Sequence, residues 1–593
     1  MSDHETASTQ RPLLDTAANG DGAKYTGKSS DTNLPDVESG AAKFEQIFTW
    51  IRPLGVWQLV VLLYCAYAQF ATTFVNLEVM FYGVTPTFVC DPQNDDLING
   101  WSLERIANIT SPLKSQSTDE RDACSVRQLN FSQFSSDSDY ALISDDLAQM
   151  DADNVTKYVK CDKWLYDRTY LTETVVTQWD LVCDNMWWVE HGVSLNFGGF
   201  LLGVLIAGFL SDKFGRKTAA LIMCGVYVPT GLACSIAPNY LVFMILRAIA
   251  MMGAMGNANV VYCYGLEIVG SQYRSIVGGL FFLPYAFAYV CTAGLAAIVP
   301  DWRYLNVACV GLGLIQFGIT LFVPESPRWL LVKGRVDQAT RVLKTAARIN
   351  RAQLPKNVDL GSVAMAIQKE EQAKKQTTEG ITSMIQYPVL VMRAIIVYFM
   401  WAVIAMVYYG LSLNVSSFAG NIFVNNAISG AIEIPAYAAS YGMLYLGRKR
   451  ATYTTLFFCG ASLCAIAFRN KIRHISADPT WKMVLAMCGK FAVTIAFSVI
   501  YVLTVEIYPT VIRNFGLSTS SAVGRVGTMI SPYISGISKL GASVEWVPMM
   551  VFGGFSVIAG ALTFFLPETL GKRLPEHFKD AVKLEPIRKS DKK

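Results

Sequence analysis

A chain of 593 residues with 52% hydrophobic and only 16% charged side chains is not composed like a soluble globular protein, in which about a quarter of residues are charged. Its formal net charge of +4 is small for that length and gives no reason to expect nucleic acid as a partner. With a mean hydropathy of +0.33, the balance points to a protein whose solvent is the lipid bilayer.

In chain order, residues 1–56 are expected to form a cytosolic tail; most of it is polar and rich in Ser, Thr, Asp and Gly, without the apolar run and small-residue cleavage site of a secretory signal. The first span is therefore expected to do the targeting. A hydrocarbon core about 30 Å thick takes roughly 20 apolar residues per helix. Windows of that kind recur near residues 57–80, 187–210, 218–237, 240–262, 275–299, 303–323, 390–411, 422–446, 451–468, 481–503, 515–537 and 545–566. The expected fold is an all-α membrane protein of 12 transmembrane helices in two pseudo-symmetric six-helix bundles, residues 57–323 and 390–566. A large extracellular segment, 81–186, separates the first two helices, a cytosolic linker with amphipathic helices covers 324–389, and 567–593 is a cytosolic tail.

The segment 81–186 contains three glycosylation sequons, at Asn108, Asn130 and Asn154, and four cysteines, Cys90, Cys124, Cys161 and Cys183. Together they predict an oxidising, glycosylating compartment and up to two disulfides in any of three pairings. The basic turns "SDKFGRK" and "GRKR" after the second and eighth spans then fall on the cytoplasmic side, as the positive-inside rule requires, with both termini cytoplasmic. The basic loop at 468–482 dissents from this topology. The other nine cysteines lie in apolar windows, and no spacing among them suggests a metal site.

The two halves repeat each other in charges. "LEIVGSQYR" at 266–274 is echoed by "VEIYPTVIR" at 505–513, so that Glu267 and Arg274 match Glu506 and Arg513. "VPESPRW" is echoed by "LPETLGK", and "GFLSDKFGRK" by "YGMLYLGRKR". Two parallel repeats related by an axis along the membrane normal describe a rocker that exposes a central site to either side in turn.

"GFLSDKFGRK" resembles the signature between the second and third helices of the major facilitator superfamily. The resemblance implies that Asp212, Gly215, Arg216 and Lys217 belong to an inner gate, with Asp212 near the N-terminal end of a facing helix; the second copy has Leu444 at the place of the acid. "PESPRWL" at 324–330 is similar to a signature shared by sugar porters and organic-ion transporters. The long cysteine-bearing outer segment and "GKFAVTIAFSVIYVLTVEIYPTVIRN" resemble the organic cation, carnitine and organic anion transporter family, closest to its carnitine and zwitterion branch.

Arg525 lies in "STSSAVGRVGTMISPY", 12 residues beyond Arg513, about 18 Å along a helix and so near the bilayer midplane. Glu433 and Lys490 are similarly central. A charge there costs at least about 2.5 kcal/mol and faces a partner or a watery cavity. Arg525 either pairs with an acid such as Glu433 or meets the negative part of a substrate, and Gly524 and Gly527 beside it admit close helix packing. In the resembled family this position is similar to an acid in organic cation transporters and to an arginine in anion and carnitine transporters. Trp401 and Tyr408, seven apart, share a helix face, and rings attract ammonium groups. Trp401, Tyr408 and Glu433 for an ammonium, with Arg525 for a carboxylate, suit a betaine such as carnitine. Lys490, Tyr501 and Asn257 are further cavity candidates. Arg247 is read as a helix-packing or coupling residue, and Glu78, Glu190 and His191 as charges near outer ends that reach water.

The expected function is transport of small organic ions, cations and carnitine-like zwitterions, by alternating access across the plasma membrane, by a monomer with no cofactor. Sodium coupling is left open. An organic anion carrier is the alternative, and a non-transporting receptor glycoprotein on the same fold a further one. No G-x-x-x-x-G-K-[ST], H-E-x-x-H or G-x-S-x-G occurs, so an enzyme is not expected.

Overall fold

The computed structural model describes residues 40–115, 118–135, 140–152, 156–352, 360–376, 384–416, 418, 420–468, 480–541 and 544–583. The sequon at Asn154 and most of the basic loop 468–482 lie outside them.

The N-terminal half begins with helix α1 (Gly40–Ile51) and the long α2 (Val56–Leu77). Next comes a small segment with helices α3 (Leu103–Thr110) and α4 (Tyr140–Ala152). Five long stretches follow: α5 (Trp187–Phe214), α6 (Arg216–Cys234), α7 (Tyr240–Glu267), α8 (Ser271–Leu280) continued by α9 (Leu283–Ile298), and α10 (Trp302–Phe322). Helices α11 (Val336–Ile349) and α12 (Leu360–Gln376) form the linker. The C-terminal half holds α13 (Pro388–Val415), α14 (Ile422–Ala431), α15 (Glu433–Leu446), α16 (Arg448–Phe468), α17 (Thr480–Ile507), α18 (Arg513–Gly536), α19 (Val547–Leu562) and the short α20 (Phe578–Val582).

Among the described residues, 10 helices are long and apolar enough to cross a membrane. Two of the expected windows fall short for physical reasons. The window 422–446 is divided at Ile432 into α14 and α15, where Pro435 supplies no N–H to the preceding turn. Helix α18 has 24 residues, but its Ser, Thr and Arg content makes it less apolar than the others.

Glycine lets helix backbones touch. A Cβ on Gly203 of α5 would meet the carbonyl oxygen of Met252 on α7, and one on Gly527 of α18 that of Ala402 on α13. The two halves meet through α5 against α18 and α9 against α14. Hydrogen bonds at this seam include Ser194 Oγ to the Met529 carbonyl at 2.9 Å, His191 Nδ1 with Tyr533 Oη at 3.0 Å, Ser416 Oγ to the Met80 carbonyl at 2.9 Å and Ser429 Oγ to Tyr289 Oη at 3.3 Å.

That segment has its own apolar core, with Val89, Leu97, Trp101, Ile106, Ile109 and Phe131 buried together. Three antiparallel strand pairs frame it: β1 (Phe88–Cys90) with β6 (Trp164–Tyr166), β2 (Leu113–Ser115) with β3 (Thr118–Arg121), and β4 (Ser125–Arg127) with β5 (Tyr158–Lys160). Of the three pairings the sequence allowed, the structure has Cys90–Cys161 and Cys124–Cys183. Arg127 is buried, pairs with Asp151 and donates to the carbonyl oxygens of Asn108 and Ile109. Burial pushes the Asp151 carboxyl up, but hydrogen bonds from Arg127 and Tyr158 win and hold it below the usual carboxylate range.

On the opposite end α1, α11 and α12 pack together below the N-terminal half. Asn350, just past α11, fixes the joint between α1 and α2: its Oδ1 accepts from the Trp57 N–H at 2.8 Å, and its Nδ2 donates to the Ile51 carbonyl at 2.7 Å and to Gln58 Oε1 at 2.8 Å.

Candidate substrate site and gates

The central charges pair differently from the expected Arg525–Glu433 couple. Glu433 opens α15, immediately after the break, where the helix N-terminus favours an anion. Its partner is Lys490 of α17, with Nζ 3.2 Å from Oε1 and both side chains fully buried. Tyr408 donates to Glu433 Oε1 at 2.6 Å, Tyr437 donates to Oε2 at 3.4 Å, and Lys490 also donates to Ser412 Oγ. The Lys490 ammonium lies 3.6 Å from the centroid of the Tyr408 ring and 5.7 Å from that of Tyr289. The ring face expected to receive a substrate ammonium is therefore covered by the protein's own.

Arg525 is half-buried on α18 and has no ion pair to any described residue; its guanidinium carbon sits 3.9 Å from the centroid of Phe200 on α5. Glu433 is engaged instead by a lysine from the neighbouring helix. Trp401 is buried, its indole N–H donating to Thr504 Oγ1 at 2.9 Å, and stacks edge-on with Tyr501 at 4.6 Å between centroids. Phe497 bridges Tyr408 and Tyr501 at 5.5 and 5.8 Å, and Phe282 lies 6.3 Å from Tyr501. The structure thus brings together Trp401, Tyr408, Tyr501, Glu433 and Lys490. It adds Phe200, Phe282 and Phe497, for which the sequence carried no signal beyond the position of Phe282 two residues before Pro284, at the break between α8 and α9. Asn257, on α7, is buried, and neither of its amide atoms has a hydrogen-bond partner among the described residues.

The inner-gate motif closes into one network. Arg216 Nη2 is 2.7 Å from Glu267 Oε1, and its Nη1 is 3.0 Å from Asp212 Oδ1. The acid that meets a helix start is Glu325 rather than Asp212: its Oε1 accepts the backbone N–H groups of Arg216 at 2.7 Å and Lys217 at 3.1 Å, in the first turn of α6. Ser326 Oγ donates to Glu267 at 2.7 Å, and Lys217 Nζ donates to the Leu321 carbonyl at 2.7 Å. Gly215 between α5 and α6 has φ +106°, and a Cβ there would run into Glu325.

The second half repeats it. Arg448 pairs with Glu506 at 3.1 Å, Glu568 accepts the N–H groups of Arg448 and Lys449 at 2.9 and 3.5 Å, Thr569 donates to Glu506, and Gly447 has φ +117°. At Leu444 the copy offers only a carbonyl, 3.0 Å from Arg448 Nη1. Each network closes within its own half. The spacing repeated between Glu267 and Arg274 and between Glu506 and Arg513 does not make them partners: Arg274 pairs with Glu45 of α1 at 2.5 Å, while Arg513 donates to the carbonyls of Tyr508 and Pro575, both at 3.3 Å.

Two further readings change. Glu78 does not reach water; it is buried and paired with Arg247. Glu190 is paired with Lys539 at 2.8 Å. Of the described sequons, Asn130 is exposed, whereas Asn108 is half-buried and donates to Tyr140 Oη at 2.5 Å.

Two repeated bundles, doubled gate networks and a charged aromatic cluster at their centre define a membrane transporter fold. Residues 129–579 match the sugar (and other) transporter family. The chain is 36% identical to the organic cation transporter protein of Drosophila melanogaster over 71% of its own length and 76% of that protein's. It is 31% identical to organic cation/carnitine transporter 2 of Homo sapiens, covering 90% of this chain and 93% of the relative. A solved structure of the E. coli xylose transporter XylE superposes with TM-score 0.55 at 14% identity, covering 87% of this chain and 100% of that one. The chain belongs to the sugar (and other) transporter family of the major facilitator superfamily, among the relatives of organic cation/carnitine transporters.

Proposed function

We propose that this protein carries small organic ions across the plasma membrane by alternating access, and that its preferred substrates combine an ammonium with a carboxylate. The observation that carries this reading is the charge count at the centre. Glu433 is neutralised by Lys490, which leaves Arg525 without an opposite charge among the described residues. A site with one surplus positive charge repels a simple monocation and attracts a carboxylate. Relatives named for organic cations and carnitine support the ammonium half of the reading. In it, α14 with α15 and α18 complete the count of twelve spans, the disulfide-bonded segment faces outside with Asn130 carrying a glycan, and both termini are cytoplasmic. Each inner network closes within its own half, while the halves also touch through Gly279 against Tyr441 and Phe282 against Tyr437, so the two bundles meet at the centre as well as at the disulfide-bonded end.

The test is uptake of labelled carnitine, a permanent monocation and a small monoanion, with and without sodium, by cells expressing the wild-type chain or Arg525→Ala. Carnitine uptake that Arg525→Ala reduces at least tenfold more than cation uptake supports the reading. Uptake of the monoanion in preference to carnitine would favour the organic anion carrier, which the surplus charge also accommodates; equal losses for cation and zwitterion would make Arg525 structural.

A further inference from the structure

The seam at the disulfide-bonded end contains an ion pair that the central site does not use. Glu190 is in the first turn of α5, in the N-terminal half; Lys539 is in the turn Ile537–Leu540 that ends α18, in the C-terminal half. Lys539 Nζ donates to Glu190 Oε1 at 2.8 Å, and no other ion pair between described residues joins the halves. The two ends of the pair differ. The Glu190 side chain is 6% exposed and that of Lys539 32%. Gly536 presses on the acid so closely that a Cβ there would stand 2.9 Å from Glu190 Cγ. The pair lines a cavity of about 150 Å³ whose wall is part apolar, from Val189, Val193 and Leu413, and part polar, from Asn414, Ser416 and Ser535.

A buried carboxylate without its cation is strongly penalised, whereas a carboxylate in water is not. With the seam closed, Glu190 is buried and depends on Lys539. With the seam open, both would be hydrated and independent. The pair therefore adds little net attraction, but removing the cation alone would raise the free energy of the closed seam and leave that of the open seam unchanged, which shifts the population. Removing the acid has a smaller effect, because Lys539 already reaches water.

We propose that Glu190 and Lys539 form an outer latch that makes closure of the extracellular side conditional on both charges. The proposal rests on the alternating-access reading above. Its test uses the full-length chain in cells, with Ser535→Cys in the cavity as reporter and a membrane-impermeant thiol reagent added outside; the chain without the reporter gives the background from native cysteines. Only surface molecules are read, and no substrate is needed. Lys539→Gln is expected to raise the labelling rate several-fold, Glu190→Gln to raise it less, and the exchange Glu190→Lys with Lys539→Glu to return it towards the unmutated rate. A Lys539→Gln rate equal to that of the unmutated reporter chain, a Glu190→Gln rate above that of Lys539→Gln, or no recovery in the exchange would overturn the latch. Labelling in the expected order by a chain that moves none of the tested ions would keep the latch and remove the substrate assignment.

Discussion

The ammonium of Lys490 lies face-on to Tyr408, 3.6 Å from its ring centroid, while the hydroxyl of the same tyrosine donates to Glu433, the acid that neutralises that ammonium. Cation, ring and carboxylate form a closed triangle with no solvent-facing side chain among them.

Opening the triangle from one corner is expected to be costly. Lys490→Met leaves a buried carboxylate unpaired and should lower stability by about 3–5 kcal/mol, while Lys490→Met with Glu433→Gln should recover most of that loss. Thermal unfolding of the purified protein in detergent measures both, and the absence of recovery would show that the pair does not act as a unit.

The two gate networks should respond alike at their glycines, and the acids of the first should not be equivalent. Gly215→Ala and Gly447→Ala both place a Cβ at positive φ against an acid and should each cost at least about 1–2 kcal/mol. Asp212→Leu, which makes the first network like the second, should have less effect on unfolding than Glu325→Gln, because Glu325 holds two backbone N–H groups and Asp212 one exposed guanidinium contact.

Acid should loosen the disulfide-bonded segment. The Asp151 carboxyl is held below its ordinary value, so its contribution is complete at neutral pH, begins to fade as pH falls through the ordinary carboxylate range near about 4, and is lost below its folded value. Hydrogen exchange of residues 125–127 and 158–160 between pH 7 and pH 3 should show protection falling in that window. Asp151→Asn should show weaker protection already at pH 7.

Removing the Asn350 carboxamide strands two buried backbone groups on the α1–α2 joint, the Trp57 N–H and the Ile51 carbonyl, and takes one of two donors from Gln58 Oε1. Asn350→Ala should cost about 2–3 kcal/mol, and hydrogen exchange should locate the loss in residues 44–58. Uniform loss of protection across both bundles would contradict a local role.

What the sequence revealed best was periodic or repeated. Apolar windows located the helices, and two copies of one charge pattern located both gates. Partners chosen across helices were illegible: Glu433 and Arg525 looked like natural mates until Lys490, from a third helix, proved nearer. Glu325 and Glu568 stood in plain view within "VPESPRW" and "LPETLGK", each following a proline, yet a string of letters does not show that the next helix begins against them. The cysteine pairing required the fold for the same reason. The eighth window was misread as one helix because apolar composition is blind to where a proline interrupts the backbone ladder.

That interruption gives the molecule a joint. Helix α14 is seated against α9, which itself begins after a break from α8, so two facing struts are each divided along their length. A divided strut can swing one half while the other stays in its socket. Glu433 is the first residue past one such division. A change of charge partner there would be delivered at the pivot itself, where a small displacement turns the whole lower arm.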